Sequence, residues 1–231
     1  MGLPPYLARK LTNYQDPNSF ASRIRKRRLK TLITLIEANH LKHGIVRILD
    51  LGGTEAYWRL LPEPILALVH VTLLNLPGSV QPPIDGPFQI VEADACHVPE
   101  FGDATFHIVH SNSVLEHVGD WPRMVSFARE VRRLAPNYYI QTPYFWFPIE
   151  PHWMAPFFHW LPRPLQVALF MRFSFGHATR CETVGDAVLQ ADSARLLDKK
   201  MVRYLFPEAK LITERFLGIP KSLVALRGSS A

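Results

Sequence analysis

The segment Val46-Arg-Ile-Leu-Asp-Leu-Gly-Gly-Thr-Glu-Ala-Tyr-Trp58 constrains this chain more than any other. An apolar run holding β-branched residues predicts a buried strand. An acid, two glycines and a helix start follow it. In open α/β sheets, ligands bind where the chain leaves the carboxyl end of a strand. Gly52 and Gly53 lack the Cβ that would block a close approach of ligand to backbone. Asp50, at the strand tip, offers an acceptor for ligand hydroxyls or a cationic amine.

Around this segment apolar runs alternate with helical patterns. Further strands are expected over Leu68–Asn75, Phe88–Glu92, Phe106–His110 and Tyr138–Thr142. A helix is expected over Phe20–Leu41. A turn or short helix runs from Glu55 to Leu61, stopped by Pro62 and Pro64. Asp120-Trp-Pro122 caps a helix over Arg123–Leu134, with Met124, Phe127, Val131 and Leu134 on its apolar face. This pitch predicts an α/β fold with a doubly wound, mostly parallel sheet. Later come a helix over Ser193–Tyr204 and a closing antiparallel hairpin, Ala209–Phe216 with Lys221–Leu226, joined by Leu217-Gly-Ile-Pro220.

Between them, residues 143–185 form an aromatic, proline-broken insertion after strand five. It reads as a cap with a small core of its own, and the same cap can line an apolar pocket. A length of 231 residues suits one domain, with residues 1–43 as an N-terminal arm and basic helix. The net charge of +6 clusters at Arg23, Arg25, Lys26, Arg27, Arg28 and Lys30. That run is either a solvated helix face or a contact for an anionic substrate or a peripheral membrane surface. Cys96 and Cys181 are far apart and in no metal spacing, as in a reducing compartment. The opening Met-Gly-Leu-Pro-Pro-Tyr lacks a signal-peptide pattern, and Tyr6 stands where myristoylation wants Ser or Thr. No run is long enough to span a bilayer, so a cytoplasmic protein is expected.

Four strand ends carry suitable groups in order: Asp50 with Gly52 and Gly53, then Asn75, then Asp94-Ala95, then Ser111-Asn112. In a doubly wound sheet these ends share one edge, where a nucleoside would find partners for base, ribose and amino-acid part. Residues 46–142, through "RILDLGGTEAYW" and "VEADACHVPEFGDATFHIVHSNSVLEHV", resemble class I S-adenosylmethionine-dependent methyltransferases. The likeness is to the small-molecule branch that includes ubiquinone-biosynthesis-type enzymes. It implies a seven-stranded Rossmann-like methyltransferase sheet with its last strand inserted antiparallel. "ERFLGIPKSLVALRG" is similar to the family's closing hairpin.

Carried over, the resemblance makes Asp50 the first-motif acid and brings Gly52, Gly53 and Thr54 close to the methionine moiety. Asn75 would hold the ribose, Asp94 the adenine amino group and the Ala95 amide the ring. Ser111 and Asn112 would lie beside the sulfonium. Thr54 and Ala56 replace family glycines, Asn75 replaces an acid and His107 replaces an Asp. A neutral Asn75 gives an uncharged and therefore weaker ribose contact.

Methyl transfer needs alignment and, for an oxygen acceptor, removal of a proton. His152, in Glu150-Pro-His152, is the first base candidate, followed by His117 and Tyr144. Pro156 interrupts any helix linking His152 to His159, and His177 completes no known ligand spacing, so no metal is expected. Gly52-Gly53-Thr54-Glu55-Ala56-Tyr57 fails the nicotinamide fingerprint Gly-x-Gly-x-x-Gly. The Asn/Asp-Pro-Pro-Tyr/Phe motif of many base-modifying relatives is absent, so nucleic acid is not an expected partner. The expected activity is in-line methyl transfer to a small or lipid/glycan-type acceptor at oxygen. The alternative is a non-catalytic methyltransferase-like binding or scaffold module.

Overall fold

Five of the six side chains of β1, Val46–Leu51, are buried, which requires cover on both faces of the strand. In this computed structural model, which describes residues 20–79, 85–176 and 178–228 with side chains from residue 29 onward, helices supply that cover. The arm before residue 20, the side chains of Arg23, Arg25, Lys26, Arg27 and Arg28, residues 80–84 of the Pro77–Pro87 loop, and His177 lie outside the described residues.

Helix α1, Phe20–His43, lays Leu29, Leu32, Leu35 and Ile36 on one face of the sheet against Ile48, Val71 and Ile108. Burying each such side chain contributes about 1.5–3 kcal/mol. On the opposite face, α4 (Trp121–Leu134) packs Met124, Phe127, Val131 and Leu134 against Leu49, Val109 and Tyr138. Its cap forms as the sequence predicts: the Asp120 carboxylate accepts from Arg123 N at 3.1 Å, and Pro122 sits in the first turn.

The remaining strands are β2 (Val69–Asn75), β3 (Phe88–Glu92), β4 (Ile108–Asn112), β5 (Asn137–Pro143), β8 (Lys210–Phe216) and β9 (Ile219–Arg227). The sheet order is β3-β2-β1-β4-β5-β9-β8. The first five strands run parallel, and β9 enters antiparallel between β5 and β8. This is the expected seven-stranded, doubly wound sheet with its closing hairpin.

Several boundaries differ from expectation for identifiable reasons. Strand β4 extends to Asn112 because Ser111 and Asn112 pair with Ile140 and Gln141 of β5. Pro64 does not only stop a helix; it lies in the first turn of a new one, α3 (Glu63–Leu66), just after α2 (Glu55–Trp58). The helix expected over Ser193–Tyr204 begins only at Lys199, as α7 (Lys199–Leu205), and a separate helix, α6 (Val184–Asp192), ends just before the expected start. Each has its own side-chain cap, Thr183 accepting from Asp186 N and Asp198 accepting from Met201 N. The hairpin turn is tighter than four residues, because Leu217 and Gly218 both adopt positive φ (47° and 82°), the pair a two-residue turn requires.

The insertion after β5 holds a short hairpin, β6 (Ile149–Glu150) with β7 (Ala155–Pro156), and helix α5 (Arg163–Arg172). Trp153, Phe158 and Phe170 form its separate core with Ala187 and Ala191 of α6. That core therefore extends beyond residue 185. No helix among the described residues is long and apolar enough to cross a membrane.

Candidate active site

Strand order reverses between β1 and β4, and a cleft of about 210 Å³ opens at the carboxyl ends beside that point. Gly52, Asn75, Asp94, Ala95, Val114 and His117 line it. Gly52 is required there twice over. Its φ is +71°, and an added Cβ would lie 2.6 Å from Val114 Cγ2. The Asn75 amide donates to the Gly53 carbonyl at 3.1 Å and ties the glycine turn to β2. Thr54 is exposed at the start of α2, and its hydroxyl makes no cap bond.

Asp50 does not face this cleft. It is 1% exposed, with Oδ2 accepting from Trp58 Nε1 and Oδ1 accepting from His110 Nδ1, each at 2.6 Å. A Cβ on Gly53 would lie 1.7 Å from Asp50 Oδ2. Gly53 thus makes room for a buried carboxylate. The expectation that Asp50 meets a ligand directly is corrected, because two ring N–H donors converge on it from within the protein. Ser111 is also turned inward: it is fully buried and donates to Leu51 O at 3.1 Å, joining β4 to β1. Asn112, next along, is part-buried at the strand end.

Asp94 lines the cleft with a partner that the sequence does not announce. Arg123 Nη2 donates to both its oxygens at 3.0 and 2.9 Å, and Cys96 N donates to Oδ1 at 2.9 Å. Partial burial would raise the Asp94 pKa, but the Cys96 amide and the Arg123 guanidinium together bring it below the ordinary carboxylate value. Burial pushes the Cys96 thiol up to about 11, which leaves it no nucleophilic role at neutral pH.

A second constellation adjoins the cleft. The Leu115–His117 turn, entered through Ser113 at φ +60°, brings Glu116 and His117 toward His152 of the insertion. The two imidazole rings meet edge to face, centroids 4.7 Å apart. His117 Nδ1 lies 2.7 Å from Ser193 O, and a carbonyl only accepts, so Nδ1 carries the proton and Nε2 keeps a lone pair. His152 Nδ1 likewise faces Glu150 Oε1 at 2.5 Å, while Glu150 Oε2 accepts from Trp153 N at 2.8 Å. Thr142 of β5 donates to Glu116 Oε2 at 2.9 Å, and both residues are buried. Burial would lower the His152 pKa, but the Glu150 hydrogen bond and the Glu150 and Glu116 charges raise it above its ordinary value. Desolvation lowers that of His117, and the Ser193 carbonyl only partly offsets this.

His152 and His159 stand seven residues apart with Pro156 between them, and no pairing of the two was expected. The fold brings His152 to His117 and Glu116, and His159 donates from Nε2 to Phe145 O at 2.7 Å. Tyr144 is held on the β9 and α7 side: its amide donates to Lys221 O at 2.9 Å, and Lys199 Nζ lies 5.7 Å from the ring centroid. Beneath the cap lies a larger cavity of about 610 Å³, with Phe145, Trp153, Glu150, His159, Arg163 and Arg195 in its wall.

Residues 71–137 match a family model described as a methyltransferase domain. No curated protein sequence matches the chain. Among solved structures, PH0226 protein from Pyrococcus horikoshii OT3 superposes with a TM-score of 0.52 at 16% identity, over 99% of this chain and 100% of that one. A SAM-dependent methyltransferase from Methanosarcina mazei has a TM-score of 0.47 at 15% identity, over 80% and 92%. The Burkholderia thailandensis 1,6-didemethyltoxoflavin-N1-methyltransferase, solved with S-adenosylhomocysteine, has 0.48 at 14% identity, over 93% and 91%.

The matched segment runs from β2 to the start of β5 and includes Asn75, Asp94, Ala95 and Asn112. Over that segment the chain is similar to a methyltransferase domain, and the sheet order is the seven-stranded Rossmann-like arrangement expected from the sequence. The cleft would suit the nucleoside end of S-adenosylmethionine, with a left-handed glycine in its lining, apolar walls from Leu74, Ala93 and Val114, and polar side chains from Asn75, Ser79, Asp94, His117 and Arg123. Its amino-acid end would meet glycine-turn backbone, since Asp50 is engaged elsewhere.

Proposed function

We propose that this chain methylates a hydroxyl oxygen of a small molecule seated beneath the cap, with His152 as the group that takes its proton. One observation carries the reading. His117 lines the cleft at the strand ends, Glu150 lines the cavity at the cap, and His152, in ring contact with His117 and hydrogen-bonded to Glu150, stands between the two.

In the cleft, Asn75 would hold the ribose, Asp94 the adenine amino group and the Ala95 amide the ring. The Gly52 and Gly53 backbone would lie along the methionine moiety, with Asn112 beside the sulfonium. S-adenosylmethionine, when bound, supplies an already activated methyl group. The protein's own work is then alignment, exclusion of water and removal of one proton. Glu150 fixes the His152 ring so that Nε2 carries the lone pair, the arrangement a general base needs. Phe145 and Trp153 offer the acceptor apolar faces, while Arg163, Arg195 and Glu150 offer polar ones, which suits a hydroxylated ring or sugar.

The test is release of S-adenosylhomocysteine with a panel of phenols and sugar alcohols against matched amines. Hydroxyl acceptors should turn over, and His152→Ala should lower kcat about 10²–10⁴-fold. Turnover of amines alone, or a His152→Ala rate within about threefold of wild type, would refute the assignment.

A further inference from the structure

Two histidines and a carboxylate from separate parts of the fold converge at one point, and their outer partners are already set. Glu116 and His117 come from the turn after β4, and His152 from the β6–β7 hairpin. One ligand atom from each lies within 4.8 Å of the others. Both imidazoles have Nδ1 committed, to the Ser193 carbonyl and to the Glu150 carboxylate. Glu116 is oriented in turn by Thr142. Metal-binding histidines show this pattern: the distal nitrogen donates to a carbonyl or carboxylate, which fixes the tautomer and makes the ligating nitrogen more basic. The set of two imidazoles and one glutamate matches open, catalytic zinc sites, which keep a further position for water or substrate.

From this geometry we propose that Glu116, His117 and His152 bind one first-row divalent cation, zinc being the best fit, with its open position toward the acceptor. Bonds of about 2.1 Å need donors roughly 3–3.5 Å apart, so the three side chains close by about an ångström on binding. Imidazole ligands favour zinc, copper, iron or nickel over magnesium, calcium or manganese. The proposal rests on the hydroxyl-acceptor reading above and changes the part His152 plays in it: with Nε2 on the cation, the imidazole holds the metal and takes no proton. The cation would hold the acceptor's oxygen and lower the pKa of its O–H, and the released proton would pass to solvent.

Cobalt chloride is the probe, added to the full chain after dialysis against a chelator. Wild type should bind about one equivalent, with visible d–d absorption displaced by zinc chloride. His117→Ala and His152→Ala should each abolish the band, while His70→Ala, at an exposed position of β2, should retain it. Glu150→Gln should weaken binding about 10–100-fold, because it removes only the anchor of His152. Circular dichroism shows whether each variant is folded. A folded wild type that binds no cobalt overturns the site, as does a band that survives loss of both histidines. The two readings fail differently: chelator-insensitive turnover that still needs His152 would refute the cation and leave the imidazole base standing.

Discussion

At the residue scale, the site depends on how each buried carboxylate is used. Asp50 and Glu150 are each 1% exposed, and each orients a histidine through Nδ1. His110 is itself buried, its ring stacked between Tyr57 and Tyr139 at 5.0 and 5.6 Å, whereas His152 reaches the site. Burial works against it, but the Glu150 hydrogen bond and the Glu150 and Glu116 charges raise the His152 pKa, so its neutral form predominates only above that raised value. Activity should therefore fall as pH drops through a limb lying above the ordinary histidine value of about 6.5. Glu150→Gln removes the nearest negative charge, so the acid limb of kcat/KM should move to lower pH. A limb that stays in place would show that another group titrates there. That Asn75, Asp94 and Ala95 come together at one cleft was legible because strand ends are recognisable in one dimension. Arg123 and Glu116 were not. Their partners, Asp94 and Thr142, lie 29 and 26 residues away in sequence and meet them only in the fold.

At the element scale, the strands were legible and some helices were not, for physical reasons. Strands β1, β2, β3 and β5 are apolar runs bounded by polar or proline residues, and their limits fall within a residue or two of those expected. The break between α6 and α7 turns on Asp198 acting as an N-cap, a role that an apolar period does not reveal. The cap's own core was visible as an aromatic cluster, but its extension onto Ala187 and Ala191 was hidden in small residues. The turn from β1 to α2 exists to enclose Asp50. Gly53→Ala would drive a methyl group to within 1.7 Å of Asp50 Oδ2 and strip Trp58 and His110 of their acceptor. A loss of roughly 2–6 kcal/mol is expected, since each of the two buried ring donors left without its acceptor costs about 1–3 kcal/mol. Urea unfolding measures it, and a loss below about 1 kcal/mol would show that the turn relaxes freely.

At the scale of the whole molecule, the sheet brings one cleft to the strand ends, and the cap brings a second cavity beside it. The link between them runs from His117, in the strand-end turn, through His152 to Glu150 of the cap. The central claim is that the first cleft holds the methyl donor and its product. Calorimetric titration of the folded protein with S-adenosylhomocysteine tests it most directly. Saturable binding near one equivalent is predicted, lost on Asp94→Ala in a variant whose circular dichroism matches wild type. No binding by folded wild-type protein, or affinity unchanged by Asp94→Ala, would contradict the assignment of that cleft.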